Sequence, residues 1–224
     1  MARRADLIGP EGRDRDADPA SPSAALRRYY RLHAPLYDLT RWAFLFGRQR
    51  LCSGIAGRHP SSVLEIGCGT GRNLAQLARL LPTARLTGAD LSGDMLKRAH
   101  QRLSGLGERL SLWEGDFARM PTGQRHEAVL LSYVLTMTHP HTEALLSAAW
   151  QRVAPGGVLA IVDFHDSPLH AFRQWMAVNH VRMQGELPGY VRDLGGEVEL
   201  KRFCAFGGLW RYVQIVVQKP ARPR

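Results

Sequence analysis

Between Ser62 and Val162 short apolar segments alternate regularly with longer segments of helical character, and this alternation restricts the fold more than any other feature. Ser62–Ile66 reads as a buried strand and Gly71–Leu81 as a helix. Arg85–Ala89 and Gly93–Leu103 repeat the pair, Leu110–Trp113 and Glu127–Ser132 supply a third and a fourth strand, and Thr142–Val153 is helical. That helix stops at Pro155-Gly156-Gly157, and a fifth strand follows over Val158–Val162. Strands joined through helices by short connections form a parallel sheet with helices on both faces. After a further helix over residues 168–180, the segments Glu199–Phe206 and Leu209–Gln218 flank Gly207-Gly208 and read as a terminal antiparallel hairpin.

A length of 224 residues suits one such domain and little more. Residues 1–23 mix charges with Pro and Ser and have little to bury, so they read as a disordered extension. Residues 24–52 change character: aromatics interleave with arginines against a single acid, Asp38, and Pro35 divides the stretch into two short helices. Residues 53–220 carry the α/β domain. A net charge of +10 draws the chain to polyanions, either nucleic acid or an anionic lipid surface. Cys52, Cys68 and Cys204 are scattered without metal-type spacing and read as free thiols of a reducing compartment. The N-terminus lacks the apolar region of a secretory signal, and no stretch approaches the roughly 18 apolar residues of a membrane span. The expected location is cytoplasmic, with attachment to the inner face of the membrane arising from charge.

The chemistry concentrates at three strand tips. Glu65-Ile66-Gly67-Cys68-Gly69-Thr70-Gly71-Arg72-Asn73 places three glycines where a strand turns into a helix, leaving bare backbone for a ligand. The spacing is GxGxG, and Glu65 stands before it; a pyrophosphate disfavours that carboxylate, whereas a cationic amino-acid ligand accepts it. About twenty residues on, Gly88-Ala89-Asp90-Leu91-Ser92 ends the second strand in an acid placed to bind ribose hydroxyls, with Met95 just beyond. Glu114-Gly115-Asp116-Phe117 follows the third strand, an acid–aromatic pair suited to an adenine. Each has a plainer counterpart: a tight turn for the glycines, a helix cap for Asp90, a loop acid for Asp116, a small filler for Cys68.

Taken together, these motifs resemble the class I S-adenosylmethionine-dependent methyltransferases over roughly Leu26 to Gln218. The resemblance implies a doubly wound, Rossmann-like, seven-stranded and mostly parallel sheet ending in the antiparallel hairpin. It implies S-adenosyl-L-methionine as cofactor, held by Glu65, Gly67, Cys68, Gly69, Thr70, Gly71 and Asn73 at the methionine end. Asp90, Leu91, Ser92 and Met95 would serve the ribose, and Asp116-Phe117 the adenine. Ser132 and Tyr133 would line the transfer site, with Tyr37 as a lid residue.

The acceptor is harder to read. No Asn-Pro-Pro-Tyr type stretch follows the fourth strand, and no Cys stands where a pyrimidine methyltransferase needs a nucleophile. His139-Pro140-His141 is the best metal candidate and reads as a surface loop, so no metal is expected. Tyr29 to Arg50, Asp163-Phe164-His165-Asp166 and Asn179-His180-Val181-Arg182-Met183 are similar to bacterial N-methyltransferases of membrane lipids, most of all the BtaB-like enzymes that trimethylate diacylglyceryl-homoserine in betaine-lipid synthesis. Phosphatidylethanolamine N-methyltransferases come next. On this reading His165 accepts the amine proton, Tyr133 and Trp210 face the growing ammonium, and Tyr30, Arg41, Arg182 and Arg211 meet the headgroup. The alternatives are an RNA or protein methyltransferase, a small-molecule methyltransferase, and a cofactor-binding subunit without catalysis.

Overall fold

The computed structural model describes residues 45–120 and 123–221. Seven strands form one sheet: β1 (Ser62–Ile66), β2 (Arg85–Asp90), β3 (Leu110–Glu114), β4 (His126–Ser132), β5 (Val153–Asp166), β6 (Glu197–Ala205) and β7 (Trp210–Gln218). Their order across it is β3-β2-β1-β4-β5-β7-β6. β1 through β5 pair in parallel, and β7 runs antiparallel to both β5 and β6. Six helices accompany them among the described residues: α1 (Arg48–Ala56), α2 (Arg72–Leu80), α3 (Gly93–Leu103), α4 (Thr142–Gln151), α5 (His170–Val178) and α6 (Leu187–Arg192). The expected sheet, hairpin included, is the one observed.

Strand alternation sorts the core into two layers. Ala128 and Leu130 of β4, with Val158, Ala160 and Val162 of β5, pack against Leu51, Cys52 and Ile55 of α1 and Leu74 and Leu77 of α2. Their sequence neighbours Val129, Leu131, Leu159 and Ile161 pack on the opposite face against Leu146 and Ala149 of α4 and Leu187 and Val191 of α6. Both faces of these strands are covered, so they read as continuous apolar runs in the sequence.

Three expectations need correction. α1 runs through the expected boundary at residues 52 and 53, and its buried face is part of the core, so Arg48–Ala56 belongs with the α/β domain. β5 is longer than Val158–Val162 at both ends, spanning 14 residues from Val153 to Asp166. The Pro155-Gly156-Gly157 stretch is a register irregularity within the strand, while α4 already ends at Gln151. Helix α6, opened by Pro188 in its first turn, carried too short an apolar pattern to be predicted.

Candidate active site

The strand order reverses beside β1, where the connections lead to β2 on one side and to β4 on the other. Open α/β sheets leave a crevice beyond the strand C-termini at such a point. Here the crevice is a cavity of about 750 Å³.

One end of it is the turn between β1 and α2. The backbone N–H groups of Gly67 and Cys68 donate to the carbonyl of Ala89, tying the turn to β2. Gly67 adopts φ +70°, and a Cβ there would lie 2.4 Å from Cγ2 of Val134, so only glycine fits between this turn and the loop after β4. Gly69 also has positive φ, but a Cβ there would meet nothing within 4 Å, because that position opens onto the cavity. Asp90 closes the turn from the side: its Oδ2 accepts from Gly69 N–H at 2.8 Å and its Oδ1 from Ser92 N–H at 3.0 Å. Ser92 is the helix cap of α3, accepting from Met95 N–H through its Oγ, which leaves Asp90 free of that task.

Glu65 is 1% exposed at the end of β1. Asn73 Nδ2 donates to its Oε1 at 2.7 Å, and burial pushes its carboxyl pKa up to about 8 against that bond. Its Oε2 is buried without a partner, as are Oγ of Ser132 and Nε of Arg48. All three residues line the cavity. Buried polar atoms are ordinarily satisfied, so three orphans around one space mark a place built for a polar ligand. Glu65 and Arg48 together match the ammonium and carboxylate of a free amino-acid end, and Asp90 offers a half-buried carboxylate to a sugar. Leu91, Met95 and the buried ring of Phe117 give an apolar floor, on which Asp116 accepts from Ala118 N–H and caps a single 3-10 turn. Gly67, Cys68, Thr70, Asn73 and Phe117 line the cavity, whereas Gly71 and Ser92 shape the turn and the helix start without reaching it. Burial raises the Cys68 thiol well above its ordinary pKa, in keeping with a filler.

Tyr133 lines the cavity. It is 1% exposed, donates its hydroxyl to the carbonyl of Phe46 at 2.8 Å, and sets its ring against Phe164 with centroids 4.7 Å apart. Beyond it the wall carries Met137, His139, His141, Leu145, His180 and Arg182. The three histidines are solvent-exposed and stand at the mouth. Among the described residues all acids on the wall, Glu65, Asp90 and Asp116, lie at the glycine-rich end, where Arg48 and Arg72 also line it.

Several expected residues are elsewhere. His165 lies outside the cavity: its Nε2 accepts from Arg202 Nε at 3.3 Å and Gly185 sits against its ring, so the site does not bring it to an acceptor amine. Trp210 is fully buried among Phe46, Phe164 and Tyr212, and Arg211 forms an exposed bidentate pair with Asp166; neither reaches the cavity. Tyr30, Tyr37 and Arg41 lie outside the described residues. In turn the sequence reading missed Arg48, His180 and the cavity-facing placement of His139 and His141. Among the described residues no three His, Cys, Asp or Glu side chains cluster to hold a metal.

Residues 63–157 match the family model described as methyltransferase domain, across the glycine-rich turn, Asp90 and Ser132-Tyr133 alike. The chain has the α/β methyltransferase fold, and its residues 63–157 are those that match the methyltransferase domain. Among curated relatives, this methyltransferase domain is similar to trans-aconitate 2-methyltransferase of Deinococcus radiodurans, 33% identical over 62% of this chain and 51% of the relative. It is also similar to demethylmenaquinone methyltransferase of Thermus thermophilus, 28% identical over 62% of this chain and 66% of that protein. The chain thus spans about half the length of the trans-aconitate relatives it matches. A crystal structure of 1,6-didemethyltoxoflavin-N1-methyltransferase of Burkholderia thailandensis, bound to its substrate and S-adenosylhomocysteine, shares the methyltransferase fold with a TM-score of 0.70. At 18% identity it covers 92% of this chain and 93% of its own.

Proposed function

We propose that this protein transfers a methyl group from S-adenosylmethionine to the amine of an acceptor that also carries an anionic group. The placement of the acids along the cavity wall supports this reading. The carboxyl groups of Glu65, Asp90 and Asp116 stand at the glycine-rich end together with Arg48 and Arg72, whereas Arg182 with His139, His141 and His180 has no described carboxylate beside it on the wall.

The bound cofactor supplies an electrophilic methyl group on a sulfonium. For transfer, the amine lone pair forms the new N–C bond as the S–C bond breaks, and the electron pair leaves with sulfur. The protein's share is alignment and desolvation, with the reacting atoms held in line. Glu65, Arg48, Asp90 and Phe117 would hold the cofactor, and the buried Tyr133 would exclude water between the two ends. Arg182 would grip the anionic group of the acceptor, and a mouth histidine replaces His165 as the group that takes the released proton.

The acceptor we favour is a membrane-lipid headgroup, met at the inner face of the membrane. Diacylglyceryl-homoserine, with its amine beside a carboxylate, matches Arg182 and the histidines; phosphatidylethanolamine is the alternative lipid. The basic aromatic stretch within residues 24–52 and the exposed apolar side chains of α5 support a lipid acceptor. A second reading, a small carboxylic acid, is favoured by the similarity to trans-aconitate 2-methyltransferase and by the same Arg182. Incubation with methyl-labelled cofactor and, in parallel, a total lipid extract and a water-soluble metabolite fraction separates them. Label in an amine-bearing lipid is the expected result; label in soluble acids alone overturns the lipid reading, and label in neither overturns catalysis. Arg182→Gln should raise the acceptor KM by on the order of tenfold, as expected for a lost charged hydrogen bond, while Arg211→Gln leaves it unchanged.

A further inference from the structure

Helix α5 and the residue that precedes it leave large apolar side chains in water. Leu169 and Trp175 are each 52% exposed and Val178 is 80% exposed. Trp175 and Val178, three residues apart, share one flank of the helix, with the half-buried Phe172 a turn before them and its ring 5.7 Å from that of Trp175, while Leu169 precedes the helix as its N-cap. The opposite flank is anchored by Met176, buried in the core. A second element is tied to the start of this helix. Ser167 Oγ donates to the carbonyl of Leu209 at 2.6 Å, joining the start of α5 to the β6–β7 turn. On that turn Phe206 is 57% exposed and lies edge-on to Phe46, itself 40% exposed.

Two further features bear on what covers this surface. It borders the cavity mouth, since Ala177 on α5 and His180 and Arg182 just after it line that cavity. It is also poor in acid: from Ser167 to Gln184 the chain has Arg173, Arg182, His170 and His180 and no Asp or Glu, and Asp166 just before this stretch is paired with Arg211, in a protein of net charge +10. Exposed apolar side chains edged with cations and poor in carboxylates complement an anionic bilayer, where phosphates meet the cations and apolar groups enter the interface.

We propose that the flank of α5 formed by Trp175 and Val178, with Leu169 at the helix start and Phe206 on the adjoining turn, docks the protein on an anionic membrane with the cavity mouth facing the lipid headgroups. This deepens the lipid reading above and rests on it for its purpose, though not for its test. The 224-residue chain is sedimented with vesicles of pure phosphatidylglycerol or pure phosphatidylcholine, beside the double variant Trp175→Ser, Val178→Ser. Neither residue lines the cavity, and cofactor titration of the variant verifies an intact fold. The expected result is co-sedimentation with phosphatidylglycerol only, reduced by high salt and weakened on the order of tenfold or more in the variant. Undiminished binding of the variant overturns the proposal, and so does absence of binding by the wild type. A wild-type dimer in light scattering that the variant converts to monomer also overturns it, in favour of a second copy on this face. Vesicle binding through α5 with no lipid methylated would defeat the lipid acceptor alone; methylation of a detergent-dispersed lipid without vesicle binding would defeat the docking face alone.

Discussion

Thr136 and Asp163 are joined by a hydrogen bond of 2.5 Å from the threonine hydroxyl to Oδ1, fixing the loop after β4 to the middle of the sheet. Asp163 Oδ2 also accepts from Leu135 N–H at 2.8 Å and from Thr136 N–H at 3.3 Å. The carbonyl of Thr136 in turn accepts from Arg182 N–H, so one fully buried carboxylate positions both Tyr133's loop and the arginine beyond it.

Asp163→Asn replaces an all-acceptor group by one whose amide faces N–H donors. Buried donors left unsatisfied cost about 1–3 kcal/mol each. The variant should lose stability of that order in chemical denaturation and raise the acceptor KM, with cofactor affinity little changed. Burial pushes the Asp163 pKa up to about 6 despite its four hydrogen bonds, so it remains ionised at neutral pH.

Glu65 makes a pH-dependent contribution. Its pKa in the fold, about 8, is raised above the ordinary 4.5. The native state therefore holds a proton that the unfolded chain releases, and the stability this gives is full below pH 4.5 and lost as pH rises through 8. Glu65→Gln should remove that loss, becoming steadily more stable relative to the wild type across this range. A cofactor ammonium beside Glu65 favours the carboxylate, so binding near pH 7 should release about one proton. Calorimetry in buffers of different ionisation enthalpy measures it; in Glu65→Gln the enthalpy should not depend on the buffer.

Gly67 and Gly69 separate folding from binding. Each alanine pays an αL strain of about 1–3 kcal/mol. In Gly67→Ala the new methyl also meets Val134, so thermal stability should fall the more. In Gly69→Ala it enters open cavity, so the larger effect should be on cofactor affinity. Paired thermal melts and titrations distinguish the two.

The strand–helix alternation and the three motifs were legible because each is local: a turn, an acid at a strand tip, an acid before an aromatic. The acceptor end was not. His165 looked like a rim residue because β5 was expected to stop at Val162; the strand instead continues to Asp166, paired with β7, and His165 faces Arg202. Trp210 opens β7 opposite Ala205, and that register turns its ring into the core. Arg48 was one of many arginines in a basic stretch, and only the packing of α1 shows which of them reaches the cavity.

The cavity beside Gly69 and Asp90 is the place assigned here to S-adenosylmethionine. Titration calorimetry of wild type and Asp90→Ala tests it most directly. A hydrogen bond to a charged carboxylate is worth about 1.5–3 kcal/mol, so the variant should bind the cofactor on the order of tenfold to a hundredfold more weakly, or beyond detection. Equal affinity of the two proteins, or no binding by the wild type, would contradict it.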